Sequence, residues 1–180
     1  MMFALLAGAA FAADAASANA LVPALYKDKL HFGASVVLTE KVHAVVPDNW
    51  VAQRSPTGTW EPPPDYVLGH ESEFRVGYLC GPSCKPPEDW SRVIEEELLK
   101  PLHSWSWRVE QEEKSLTHRF ITSRAPNGVV EIVRVTFKAT DGKALFCHVR
   151  LMPEGGGMGK DPVIDKLIPA FEEACLALKP

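Results

Sequence analysis

Four cysteines, six histidines and five tryptophans carry most of the chemistry that this 180-residue sequence could perform. Cys80 and Cys84 bracket Gly81-Pro82-Ser83, close enough for a local disulfide or for thiol-disulfide exchange. Exchange needs an attacking thiolate whose pKa is lowered, commonly by a helix N-terminus. Here the motif ends a run that alternates like a strand, and helix-forming sequence resumes only after Lys85-Pro86-Pro87. A structural clip is the expected role. The alternative is an envelope thiol-disulfide protein working through Cys80 and Cys84.

The pentapeptide resembles the Cys-Gly-Pro-Cys of thioredoxins with one residue inserted. That insertion breaks the spacing by which the second thiol of the family resolves a mixed disulfide, which again favours a structural bond. His31, His43, His70, His103, His118 and His148 show no His-x-x-x-His pattern, and Cys-x-x-Cys is absent too, so no metal site is expected. His148 should lie opposite Cys147 on its strand, in solvent with Arg150. His70-Glu71-Ser72-Glu73 supplies acids and a base, but no Gly-x-Ser-x-Gly elbow accompanies it, and neither an acyl-transfer site nor any cofactor is expected.

The aromatic residues point toward binding. Trp105 and Trp107 share a face if their segment is a strand, and such a pair could stack on a sugar or anchor a partner protein. Packing beneath a helix is the structural alternative. Trp60 and Tyr66 fall in a long, Pro-stiffened loop from Arg54 to His70, where regular structure is not expected and docking would cost little entropy. The candidate binding residues are therefore Trp60, Tyr66, Trp105 and Trp107.

These residues need elements to hold them. Ser35 to Leu38 and Lys41 to Val46 read as a hairpin or one bent strand, continued after Pro47-Asp48-Asn49-Trp50 as far as Gln53. Glu73 to Cys80 alternates as a half-buried strand. After Pro86-Pro87, Trp90, Ile94, Leu98 and Leu102 recur at helical spacing, which predicts an inserted helix ending near Pro101. Leu116 to Ser123, Val129 to Phe137 and Ala144 to Met152 are strands separated by turn signals at Ala125-Pro126-Asn127-Gly128 and Thr140-Asp141-Gly142-Lys143, an antiparallel meander. Asp161-Pro162 opens a last helix whose apolar stripe is Ile164, Leu167, Ile168, Phe171, Cys175 and Leu178. The fold class is α+β: an antiparallel β-sheet flanked by an inserted helix and a C-terminal helix.

That reading pairs the cysteines. Cys147 shares its strand face with Leu145, Val149 and Leu151, and Cys175 lies on the apolar stripe of the last helix, so the two thiols meet if that helix packs on that face. Closing this loop would be worth about 3 to 4 kcal/mol through lost denatured-state entropy. Cys80 and Cys84 are left to close their own tight loop, and reduced core thiols are the other reading of both.

Phe3 to Phe11 is a short apolar run followed by Ala10-Phe11-Ala12, Ala13-Asp14-Ala15 and Ala16-Ser17-Ala18, each a small-x-small pattern suited to signal peptidase. Residues 1–18 are thus expected to be a signal peptide cut near 12–18, although Met1-Met2-Phe3 lacks the usual positive start. Residues 19–33 are expected to be a flexible segment and 34–180 a single domain. The product would be periplasmic or secreted, with an even set of cysteines suited to oxidising surroundings. A formal net charge of −4 with no Lys/Arg stripe argues against nucleic acid as partner, and nothing predicts membrane insertion after the leader is removed.

The order of elements over roughly residues 34–179, with the turn Val46-Pro47-Asp48-Asn49-Trp50, resembles the PsbP-like fold, a family that includes the DcrB-like envelope proteins. The resemblance implies an antiparallel sheet flanked by helices that binds other proteins without catalysis. It transfers no functional residue, and the paired cysteines and missing lipid-anchor Cys depart from it. The function expected from all of this is a non-catalytic periplasmic binding protein for a protein partner, such as an immunity or inhibitor protein against a secreted toxin. A carbohydrate-binding module is the further alternative.

Overall fold

The alternation of apolar and polar side chains lays nine strands into two antiparallel sheets. The computed structural model describes residues 14–37, 42–53, 58–63, 67–78, 99–104, 106–115, 118–138, 143–154 and 161–179, and these strands are counted among them. β1 (Phe32–Val37) and β2 (Val42–Pro47) form the two-stranded sheet, a hairpin with Phe32 opposite Pro47. The larger sheet has seven strands: β3 (Val51–Gln53), β4 (Gly58–Glu61), β5 (Glu73–Tyr78), β6 (Arg108–Lys114), β7 (His118–Arg124), β8 (Val130–Lys138) and β9 (Lys143–Leu151). Their spatial order is β3-β4-β5-β9-β8-β7-β6. The meander β7-β8-β9 is present, and β9 then pairs outward with β5.

Helix α1 covers residues 14–21 and α2 spans Pro162–Leu176. α2 starts as its sequence demands: the Asp161 carboxylate accepts the Val163 N–H at 2.7 Å, and Pro162 takes the first helical position, where a missing N–H costs nothing. Its buried stripe of Ile164, Leu167, Phe171 and Cys175 lies on β8, β9 and β2. Phe171 is the hub, with ring centroids 5.3 Å from Phe32, 5.6 Å from Trp50 and 6.3 Å from Phe74. Polar groups pin the same helix. Arg124 grips Glu110 through Nε at 2.8 Å and Asp165 through Nη2 at 2.5 Å, the Thr122 hydroxyl donates to Glu172 at 2.6 Å, and Arg134 donates to the last-turn carbonyls of Cys175 and Leu176. A cation at those carbonyls complements the negative end of the helix dipole.

The pairing of Cys147 with Cys175 is present as a disulfide, Cα atoms 5.5 Å apart, joining β9 to α2 with both residues fully buried. Cys80 and Cys84 lie outside the described residues, as does the expected inserted helix apart from its end, a 3-10 turn at Lys100–His103. Leu99 and Leu102 there pack on Ile121, Val133, Val135 and Phe146, forming a second, smaller core on the sheet face away from α2. Buried Ser123 fastens the turn by donating to the Leu102 carbonyl at 3.0 Å.

Two expectations are corrected. Residues 19–33 are not a loose segment: they form the end of α1, a 3-10 turn at Ala24–Tyr26 and the start of β1. Val22, Tyr26, Leu30 and Phe32 enter the main core, and the Asn19 side chain bonds both the N–H and the carbonyl of Phe32 at 2.8 Å. Burial of these apolar groups and a side chain that mimics a pairing strand supply the order. The second correction is β4, which runs through the supposed irregular loop. Its residues Thr59 and Trp60 fall between the prolines, so the missing proline donors do not interrupt its pairing with β3 and β5.

Candidate binding cleft

The sheet face away from α2 carries a charged ladder. Across β5, β9 and β8, Glu73 stands opposite Arg150 and Arg150 opposite Glu131, so charges alternate acid, base, acid in one lateral row. The row beside it places Arg75 opposite His148 and His148 opposite Val133. Opposed cross-strand charges of this kind stabilise a sheet by a few tenths of a kcal/mol up to about 1 kcal/mol each.

Glu131 is the centre of the ladder. One carboxylate oxygen accepts Arg150 Nη2 at 2.7 Å and Nε at 3.0 Å, and the other lies 3.1 Å from His148 Nε2. Glu131 and His148 side chains are each only 10 % exposed, against 44 % for Arg150, so a buried acid and imidazole are covered by a half-exposed guanidinium. Burial pushes the Glu131 carboxyl up, but the hydrogen bonds and charges of His148 and Arg150 outweigh it and hold the group below the usual carboxylate range. Arg150 is likewise opposed by burial, yet Glu131, Glu73 and Glu71 together raise its pKa. The expectation of a solvated His148 is thereby corrected. Its strand face is not left to water, because Glu131 closes over it from β8.

Above this cluster opens a cleft of about 240 Å³. Glu131 and Arg150 line it, Trp107 and Met152 contribute apolar surface, and Glu71 adds a carboxylate at its edge. Two local devices shape the walls. In the β7–β8 turn, Gly128 adopts φ 84°, which L side chains rarely tolerate, and the side-chain oxygen Oδ1 of Asn127 accepts the Val129 N–H at 3.3 Å. On the other side Gly69 donates to the Met152 carbonyl at 2.8 Å, and the Met152 N–H donates to buried Ser72 at 2.9 Å, zipping the segment that carries Glu71 onto the end of β9. A side chain at position 69 would come within 2.9 Å of the Pro153 carbonyl, so this approach requires glycine.

Of the two described binding residues read from the sequence, Trp107 reaches this cleft and Trp60 does not; Trp107 is partly buried against the second core just before β6. Trp60 is corrected from a loop anchor to a core residue, 9 % exposed and edge-on to Phe74 at 6.2 Å. Its strand position turns the ring toward α2, where apolar burial outweighs any exposed role. Tyr66 and Trp105 lie outside the described residues. The motif His70-Glu71-Ser72-Glu73 is divided by its own geometry: Ser72 is buried on a backbone N–H, Glu71 faces the cleft and Glu73 joins the ladder. Among the described residues no hydroxyl or thiol hydrogen-bonds His148, and no group of three or more His, Cys, Asp or Glu is placed to hold a metal ion.

Sequence reasoning passed over Glu131, His148 and Arg150 as a group. The signal was present in the Thr140-Asp141-Gly142-Lys143 turn: once Lys138 pairs with Lys143, counting back along both strands sets Glu131 against Arg150.

No family model matches the chain, and no curated protein does. The likeness is to solved structures. The Ran-binding protein Mog1p of Saccharomyces cerevisiae superposes with a TM-score of 0.57 at 9 % identity, over 83 % of this chain and 95 % of that one. A point mutant of Mog1 gives 0.56 at 10 %, over 83 % and 96 %. Cyanobacterial PsbP from Synechocystis reaches 0.47 at 9 %, over 82 % and 91 %. At such identities the Mog1 likeness is one of fold: this chain has an α+β architecture similar to that of Mog1. Among the described residues no helix is long and apolar enough to cross a membrane.

Proposed function

We propose that this is a non-catalytic binding protein acting outside the cytoplasm, and that a segment of a partner protein seats in the cleft beside Trp107. The cleft itself carries the reading. Tryptophan and arginine are the residue types that most often dominate protein interfaces, and here Trp107 stands beside Arg150, whose orientation is set by Glu131. Two carboxylates, Glu71 and Glu131, line the cleft against one guanidinium, Arg150, which favours a partner presenting a Lys or Arg side chain. A buried disulfide fits an oxidising compartment. That Mog1, with a similar fold, is a Ran-binding protein supports a protein ligand. Inhibition of a secreted toxin is the particular form of this reading.

Capture from periplasmic extract, compared across variants, tests it. The wild type and a Cys80→Ser/Cys84→Ser variant should retain the same protein, while Trp107→Ala combined with Glu71→Lys should lose it with an unchanged circular dichroism spectrum. Equal capture by the cleft variant would sink the proposal. Loss of activity in the folded Cys80/Cys84 variant would point to thiol-disulfide exchange, and retention of glycans in place of protein would point to a carbohydrate site.

A further inference from the structure

Glu131 lines the cleft, yet one of its oxygens belongs to a side chain that does not: His148 Nε2 lies 3.1 Å from it, and both side chains are 10 % exposed. Facing an ionised carboxylate, Nε2 carries the donated hydrogen. A further proton therefore goes to Nδ1, which has no hydrogen-bond partner among the described residues. Imidazole is the side chain whose charge ordinarily changes between about pH 5 and 8. From β8, His148 faces Glu131 and apolar Val133; from β5 it faces Arg75, which Glu73 accompanies at 3.6 Å; on β9 itself Arg150 lies two residues on. The Lys100–His103 turn packs on the same sheet face over Val133 and Phe146, with Lys100 exposed and His103 bonded to the Leu99 carbonyl and Glu112. Glu71 stands at the cleft edge.

We propose that His148 makes the cleft pH-sensitive: with a neutral imidazole, Glu71, Glu131 and Arg150 leave one net negative charge for a basic side chain, and the imidazolium cancels it. Acid alone does not remove the Glu131 charge first, because His148 and Arg150 outweigh its burial and keep its proton off. Protonated His148 instead turns the Glu131–Arg150 pair into a trio with two cations on one carboxylate. A basic segment then meets a cleft of no net charge. Its affinity should fall roughly two- to tenfold, the effect of one charge about 10 Å away at an effective dielectric of about 20, partly screened by salt. By linkage, a bound cation makes His148 harder to protonate by the same factor.

This inference rests on the cleft being a seat for a Lys or Arg side chain, and the experiment separates the two. Acetyl-Gly-Lys-Gly-amide, at millimolar concentration, is titrated into the full chain at pH 7.5 and pH 5.5, with its norleucine counterpart as the uncharged control and NMR as the readout. The lysine peptide should bind more weakly at the lower pH, and His148→Gln, which keeps a neutral donor for Glu131, should bind it equally at both. In the wild type, the ring signals of His148 should titrate at lower pH when the lysine peptide is present, a reading that needs no variant to fold. Equal affinity at the two pH values, an unchanged pH dependence in folded His148→Gln, or a His148 titration indifferent to the peptide overturns the inference alone. Failure of the lysine peptide to bind at either pH, or equal binding of the norleucine peptide, overturns the cation seat with it.

Discussion

Arg150 and Glu131 face each other across β9 and β8, and Arg150 places two nitrogens on a single carboxylate oxygen while His148 takes the other. The acid is nearly dry and its partners hold its pKa down, so it links stability to pH. Its folded-state pKa lies below the unfolded value near 4.5, and its contribution is therefore present above that value and lost as pH falls through the folded-state pKa. Glu131→Gln should cost about 2 kcal/mol near neutrality, because it leaves Arg150 and His148 without their charged partner. Urea unfolding from pH 7 down to pH 3 should show the gap between wild type and variant closing in acid. A gap that stays constant would remove Glu131 as the titrating group.

The Cys147–Cys175 disulfide joins the centre of β9 to the last turns of α2. Replacing both by Ala should lower stability by about 3 kcal/mol, the loop-closure figure for this separation reduced by the few apolar contacts that remain. Wild type treated with a strong reductant after unfolding should refold to the same lowered stability. Reduction of the native protein should be slow, since both sulfurs are buried. Rapid native-state reduction would contradict a structural staple.

Glu172 behaves in the opposite sense to Glu131. Burial raises its pKa, the Thr122 hydrogen bond works against that, and the charge of Glu110 raises it further. A raised carboxyl favours folding fully below its unfolded pKa, and that benefit is lost as pH rises through the folded-state value. Glu172→Gln keeps an oxygen for Thr122 and removes the charge. It should stabilise the protein at pH 7 by on the order of 0.5 kcal/mol, a small gain because the group is partly solvated and screened. Thermal melts at pH 4 and pH 7 should show the gain only at the higher pH; a loss at pH 7 would mean that the ionised group is stabilising.

Trp60 and Trp107 should separate fold from binding. Trp60→Ala empties core volume against Phe74 and should cost about 3 to 5 kcal/mol. Trp107→Ala removes a partly buried ring at the cleft and should cost less than half as much. Similar losses for both, measured by urea unfolding, would place Trp107 in the core rather than at a surface.

Much of the architecture was legible in local pattern. Phe74 and Val76 alternate with Arg75, and that period of two identifies β5 and its buried face. Asp161-Pro162 announces α2 because capping and a fixed φ act within a few residues. Cys147 and Cys175 could be paired because each sits on an apolar face of an element with clear periodicity, and apolar faces meet. Trp60 failed this logic. The prolines around it favour a loop by local rules, while β4 pairs with β3 and β5 on either side.

The sequence by itself determined the element types, the faces that become buried and the disulfide that joins two of them, since periodicity, caps and turns are local properties. Only the tertiary structure decided which residues gather around the cleft. Glu71, Trp107, Glu131 and Arg150 come from four separate segments, and they converge because strand order places β9 between β5 and β8 and folds the 69–72 segment onto its end. Residues 19–33 turned on the same difference: nothing local marks them as ordered, and they are held by a core whose other walls lie far along the chain.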